Sequence, residues 1–217
     1  IVPWSGTPPL KTPFRGITRR DGVLLHGPSG WGEVAPFWDY GSEAGAPWLA
    51  AGLSQALGDV VLPRYRETVP VNVTIPEVGA QEAAQMVRSS GAGTAKVKVS
   101  GRRDRRSDDL ERLEAVRSVL GRSGKVRIDV NGAWDVDRAR ENLPQMDRAA
   151  GGLEYVEQPC ATVHDLADLR RAVDVPIAAD ESIRLSSNPL EVVHRRAADV
   201  AILKIAPLGG VHRALDM

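Results

Sequence analysis

From Val69 onward the chain alternates short apolar-rich runs with longer amphipathic ones, and that alternation leaves little freedom in what it can fold into. The strand-like runs are VPVNVTI (69–75), TAKVKVS (94–100), KVRIDVN (125–131), LEYVEQP (153–159), PIAADES (176–182) and VAILKIA (200–206). Between them, 79–90, 108–120, 135–150, 162–173 and 188–198 place apolar residues three and four apart with polar residues opposite, the period of a helix lying on a core. Strand and helix in strict turn predict βα units and a parallel sheet. A doubly wound sheet and an eight-stranded barrel both satisfy that pattern. No Gly-rich phosphate loop follows any of these strands, which counts against the nucleotide-binding forms of the first. The barrel needs eight units where six are visible, and the chain stops at Met217 inside the sixth helical segment. The expected fold is therefore α/β: a (β/α) barrel of the TIM type over 69–217, with its C-terminal units missing. If the polypeptide ends at Met217, an open six-strand sheet would expose edges and apolar surface, and in that case it is expected to be unstable and inactive.

Residues 1–68 read differently, rich in Pro, Gly and Trp, as a small α+β domain. A hairpin is expected in GITRRDGVLLHGPSGWGEVAPF, with Arg20-Asp21-Gly22 as its turn, and a helix over 43–58. Trp31, Trp38 and Trp48 are expected to fill this domain's core. The sequence opens on Ile1, and IVPWSGTPPLKTPF carries neither the basic start nor the apolar centre of a signal peptide, so the start is read as lacking a few residues. One cysteine, Cys160, and no apolar run near ~18 residues point to a cytoplasmic chain without a membrane span.

Within the strands, side chains point alternately to two faces. Val71, Val73 and Ile75, then Val97 and Val99, then Val126, Ile128 and Val130 form the apolar sets. Asn72 and Thr74, Lys96 and Lys98, and Arg127, Asp129 and Asn131 form the polar ones. In a parallel barrel the apolar sets pack on helices and the polar sets face the lumen. An unpaired ion there costs several kcal/mol, so the lumen charges should be matched by metal or by each other. The last charged residue of each run is Lys98, Asp129, Glu157, Asp180 and Lys204, and the gaps of 31, 28, 23 and 24 residues are each one βα unit. All five are expected at one level around the mouth, where barrels of this kind do their chemistry. Three carboxylates without His or Cys suit Mg²⁺, and lysines beside a metal-bound carboxylate suit proton abstraction next to it. Lys96 is expected to lower the pKa of Lys98 by like-charge proximity, with Asn131 in a supporting place.

KVKV, IDVNGAW, VEQP, AADES and ILKIAPLGG in this order resemble the enolase superfamily, in its muconate-lactonizing subgroup. The N-terminal PFRGITRRDGVLLHGPSGWGEVAPF resembles the capping domain of the actinobacterial o-succinylbenzoate synthases of menaquinone biosynthesis. The resemblance implies one Mg²⁺ on Asp129, Glu157 and Asp180, Lys98 as general base, and Lys204 stabilising the enolate by its charge. It implies a hydro-lyase that syn-dehydrates a succinyl-hydroxy-cyclohexadiene carboxylate. Arg15, Phe37, Trp38 and Tyr40 would form specificity walls in the cap. The alternatives are an N-succinylamino acid racemase or dipeptide epimerase using Lys98 and Lys204 as paired bases, a muconate cycloisomerase, or an inactive truncated member.

Lys plus Arg equals Asp plus Glu at 28 each, so no basic excess invites nucleic acid, and the expected partner is a small carboxylate substrate. His26, His164, His194 and His212 have no ligand spacing and are read as surface or packing residues. GRRDRRS (101–107) reads as a solvated loop, and Cys160 as packing.

Overall fold

The computed structural model describes residues 1–14, 16–58, 63 and 65–217, the side chains of 12–14 excepted. Two compact units emerge, Thr68–Ile202 and a second formed by Ile1–Glu67 with Leu203–Met217.

The N-terminal stretch supplies β1 (Val2–Gly6), β2 (Pro9–Phe14), β3 (Ile17–Arg19), β4 (Gly22–Gly27), β5 (Gly30–Val34) and α1 (Ser42–Leu57). Arg20-Asp21-Gly22 is not the turn of a hairpin. β3 pairs antiparallel with β2, whereas β4 lies between β1 and β5 in a separate three-stranded sheet. The hairpin is β4–β5, turning through Pro28 and Ser29 between Gly27 and Gly30, whose φ of 121° only glycine adopts easily. α1 lies close against this sheet, where a Cβ on Gly32 would collide with the Gly52 carbonyl. The tryptophan expectation is overturned: Trp38 is 74% and Trp31 55% exposed, and of the three only Trp48 is partly buried. A three-stranded sheet covered by one helix on one face has too little interior for three indoles.

The second unit repeats β then α: β6 (Val73–Ile75), α2 (Ala80–Ser90), β7 (Thr94–Lys98), α3 (Arg106–Leu120), β8 (Lys125–Asp129), α4 (Val136–Ala150), β9 (Leu153–Glu157), α5 (Val163–Arg170), β10 (Ile177–Ala179), α6 (Glu181–Arg184), α7 (Glu191–His194) and β11 (Val200–Ala201). The strands form one parallel sheet in the order β11-β10-β9-β8-β7-β6, each beside its neighbour in sequence. α4 shows why these segments are helices. Asp135 caps its start by accepting the Arg138 N–H at 2.7 Å, Ala139, Leu143, Met146 and Ala150 make its buried stripe, and Gly151 ends it at φ 61°. Thr162 caps α5 in the same way, through the Asp165 N–H at 3.0 Å. On the strands, Val97, Val126, Ile128 and Val156 are fully buried, while Lys96 and Lys98 keep partial exposure.

The sixth predicted strand is much shorter than 200–206. Only Val200–Ala201 is strand, and the chain bends into α8 (Ile205–Leu208), closed by Gly209 at φ 92° and followed by α9 (Val211–Leu215). Pro207 removes a ladder donor, and Gly209-Gly210 favours the helical stop. All four histidines are exposed and Cys160 is buried. No helix among the described residues is long and apolar enough to cross a membrane.

Candidate active site

Parallel register lines up the polar side chains of adjacent strands. Lys98, Asp129 and Glu157 are the last residues of β7, β8 and β9, and they are direct register partners across the three strands. Thr74, Lys96, Arg127 and Tyr155 form the layer beneath. Glu157 pairs with Ala178, so Asp180, two residues on and just beyond β10, has the same facing. Asp129 and Glu157 are each 1% exposed and Asp180 is fully buried.

Carboxylates this deep need counter-charge. Lys96 reaches up from the lower layer and donates to Asp129 Oδ2 at 2.8 Å and to the two Glu157 oxygens at 2.8 and 3.0 Å. Lys98 donates to the same Asp129 Oδ2 at 2.6 Å and to Asn131 Oδ1 at 2.7 Å. Burial alone would lower the pKa of Lys96, but the charges of Asp129 and Glu157 outweigh it and hold it well above the usual lysine value. Burial works against ionised Asp129, yet Lys96 and Lys98 outweigh it and keep the carboxyl below its ordinary range. Glu157 is pushed up to about 7, by burial first and then by the charge of Asp129. Beneath them, Arg127 is tied to Glu154 at 2.5 Å and to Asn72 at 3.1 Å, and stacks over Tyr155 at 4.9 Å.

A second chain of bonds runs behind the acids. Asn131, at φ 52°, donates through its side chain to Glu181 Oε1 at 3.0 Å, and its N–H returns to Asp129 Oδ1 at 3.1 Å. Arg184, nearly buried, donates to Asp180 Oδ1 at 3.0 Å and to Glu181 Oε1 at 2.7 Å. Gln158, wholly buried, accepts from the Asp180 N–H at 3.0 Å. Gln158, Glu181 and Arg184 escaped the sequence reading because they lie off the two-residue alternation, one just past a strand and two on a single helical turn. The one signal they carry is position: the first follows Glu157 directly, and the others stand one and four residues after Asp180.

The structure brings Lys96, Lys98, Asp129, Asn131 and Glu157 into one bonded cluster, with Asp180 linked to it through Arg184, Glu181 and Asn131. Lys204 does not end a strand; it is the extended residue that opens α8 and belongs to the other unit. Among the specificity residues, Arg15 lies outside the described residues. Phe37 and Tyr40 meet edge to face at 6.1 Å, Tyr40 meets Trp48 at 6.2 Å, and Arg20 stacks over Phe37 at 4.1 Å. Trp38 stands outside this cluster, exposed.

Among the described residues no three His, Cys, Asp or Glu side chains are grouped closely enough to share an ion; Lys96 bridges Asp129 and Glu157, and Arg184 pairs with Asp180. The donor chemistry nonetheless fits a hard divalent cation. Two buried carboxylates from adjoining strands converge on a point that already holds positive charge, and all the donors are oxygen.

Residues 79–217 match the family model of the enolase C-terminal domain-like proteins, and residues 7–56 match the enolase N-terminal domain-like model. The o-succinylbenzoate synthase of Thermobifida fusca is 56% identical over 209 residues, covering 96% of this chain and 65% of that protein, so the chain spans just under two thirds of that curated relative. Among solved structures, the substrate-liganded L-Ala-D/L-Glu epimerase from Bacillus subtilis superposes with a TM-score of 0.82 at 25% identity, over 99% of this chain and 76% of that one. The o-succinylbenzoate synthase from Thermosynechococcus elongatus, complexed with Mg in its active site, gives 0.71 at 25% identity, over 99% and 78%.

Proposed function

The chain belongs to the enolase superfamily, and from that premise we propose that it carries the Mg²⁺-dependent active site of an o-succinylbenzoate synthase, a hydro-lyase of menaquinone biosynthesis working in the cytoplasm. The observation that carries the proposal is the register of Lys98, Asp129 and Glu157 on three adjoining strands, with Asp180 of the same facing just past the end of the fourth.

In this reading one Mg²⁺ is held by Asp129, Glu157 and Asp180, and when bound it supplies a Lewis acid that lowers the cost of negative charge beside the substrate carboxylate. The chain's residues do the rest. Lys98, in its neutral form, takes the proton α to the carboxylate and returns it to the departing hydroxyl on the same face, so that water leaves. Asn131 orients the Lys98 amine through its 2.7 Å contact. Lys96 supplies permanent positive charge below the two acids. Lys204 stabilises the enolate by its charge, a role that rests on its spacing 24 residues after Asp180 and on the family resemblance. Phe37, Tyr40 and Arg15 in the N-terminal domain select the substrate, with Trp38 as a further wall.

The second reading, racemisation or epimerisation of an acylated amino acid or dipeptide, is favoured by the similarity to the Bacillus subtilis epimerase, which has the higher TM-score of the two structures. The 56% identity to a synthase over nearly the whole chain outweighs it. Incubation with the cyclohexadiene substrate and Mg²⁺ should give an aromatic product with loss of water. α-Proton exchange of an N-succinyl amino acid or dipeptide in D₂O, without that dehydration, would overturn the synthase reading.

A further inference from the structure

We infer that Gln158 is the positioning residue that sets Asp180 against Glu157. It follows Glu157 directly, has no exposed surface, and holds φ at 41°, a region that non-glycine residues seldom adopt. Such a backbone is strained and persists where its surroundings over-determine it. Here they do. Nε2 donates to the Cys160 carbonyl at 2.9 Å and to Ser182 Oγ at 2.7 Å. Oε1 accepts from the Asp180 N–H at 3.0 Å and the Ser182 N–H at 3.2 Å. A primary amide offers two donors and two lone pairs, so all four are used.

The backbone of the same residue is equally committed. Its N–H donates to the Ala178 carbonyl at 2.8 Å, and its carbonyl accepts from the Gly132 N–H at 2.6 Å. Gly132 stands three residues after Asp129. Through one residue, then, the turn after Asp129, Glu157 itself and the turn carrying Asp180 are tied together. Packing alone does not account for this. A leucine would fill similar volume while leaving the Asp180 and Ser182 N–H groups, the Cys160 carbonyl and the Ser182 hydroxyl without these bonds. The bonds run to the backbone of the Asp180 turn, and so they decide where that carboxylate stands relative to its neighbour on β9.

The inference rests on the proposed cation site at Asp129, Glu157 and Asp180, and the test separates the two. Mg²⁺ binding to the full chain is measured by calorimetry for the wild type, Gln158→Leu, Gln158→Asn and a control, Leu166→Ala, which empties core space on α5 at a fully buried position. Loss of such an outer partner is expected to weaken binding about 10- to 100-fold in Gln158→Leu. Gln158→Asn, one methylene too short to reach all its partners, should fall between Gln158→Leu and the wild type, and it carries the test if Gln158→Leu does not fold. The control should lose melting temperature yet keep its Mg²⁺ affinity. Hydrogen exchange at the Asp180 and Ser182 amides should quicken in the Gln158 variants and not in the control. Wild-type binding with equal affinity in the Gln158 variants overturns the inference alone. No Mg²⁺ binding by the wild type overturns the cation site and the inference with it.

Discussion

Lys96 and Lys98 are indistinguishable by type and differ by only two positions in sequence, yet their surroundings differ. Lys98 stands in the same layer as Asp129 and shares Asn131, whereas Lys96 reaches from the layer below and touches both Asp129 and Glu157. The alternation of the strands was enough to read the facing of Lys98, Asp129 and Glu157, because it depends on backbone period alone. The reach of a four-carbon side chain between two acids on other strands is not periodic, so the expected role for Lys96, tuning Lys98, missed its contacts with the carboxylates. Lys98→Ala should abolish turnover and leave the melting temperature nearly unchanged, because Asp129 keeps Lys96. Lys96→Ala strips a cation from two carboxylates that are almost wholly buried, and breaking such a pair costs about 3–5 kcal/mol. Its metal-free form should therefore melt well below the wild type, and Mg²⁺ should restore much of the loss. Equal melting temperatures for the two variants, with no recovery on adding Mg²⁺, would refute this division of labour.

At the level of elements, legibility followed local chemistry. α4, with its stripe, its Asp135 cap and Gly151, is visible in sequence to within a residue, whereas α5 ends three residues before the expected 173 and the helix expected over 188–198 shrinks to Glu191–His194. The run at 200–206 was not legible, because an apolar segment ending in Pro-Leu-Gly-Gly satisfies strand and helix patterns equally until tertiary contacts choose. The hairpin within 16–37 is present as β4–β5, but its turn was misplaced because Arg-Asp-Gly and Gly-Pro-Ser-Gly are both turn signals, and only strand pairing tells which one joins neighbours. The glycines that let α1 approach β5 give a test of that packing. Gly32→Ala puts a methyl into the Gly52 carbonyl, backbone against backbone, and should cost about 1–3 kcal/mol or more, read as a lower melting temperature of the N-terminal unit. A variant as stable as the wild type would mean that the helix does not pack there. In the other unit, Asp199 joins α5 to β10, accepting from Arg170 at 2.7 Å and from the Ile177 N–H at 2.9 Å. Burial would raise its pKa, but these donors outweigh it and the folded value is lowered. Stability from a lowered carboxyl is present above the unfolded value, near 3.8, and is lost as pH falls through the folded one. Asp199→Asn should therefore be less stable than the wild type at pH 7, with the gap closing below about pH 4; a gap independent of pH would show that charge plays no part.

Over the whole molecule, the two units are built to very different depths. Thr68–Ile202 buries Ile75, Val97, Leu113, Val116, Ile128, Leu143, Met146, Leu166, Leu169 and Ile177 almost completely, and each such side chain contributes about 1.5–3 kcal/mol. The buried apolar side chains described in the other unit are Leu25, Pro207 and small ones, Ala35, Ala51, Ala56 and Ala214. Composition could not reveal this, since it averages both units into an ordinary 42% hydrophobic content and tryptophans that count as core-formers stand in solvent. Segments with few buried apolar contacts open at lower free energy than a cooperative core. Hydrogen exchange of the intact chain should therefore show peptides from β1, β4, β5 and α1 exchanging roughly 100-fold or more faster than peptides from β7, β8 and β9. Adding Mg²⁺ should slow exchange chiefly at the ends of β7 to β10, where the lysines and acids stand, because a ligand that binds only the folded state stabilises the structure that binds it. Uniform protection across both units would mean that they open together, and an Mg²⁺ effect concentrated in β1 to β5 would move the cation away from Asp129, Glu157 and Asp180.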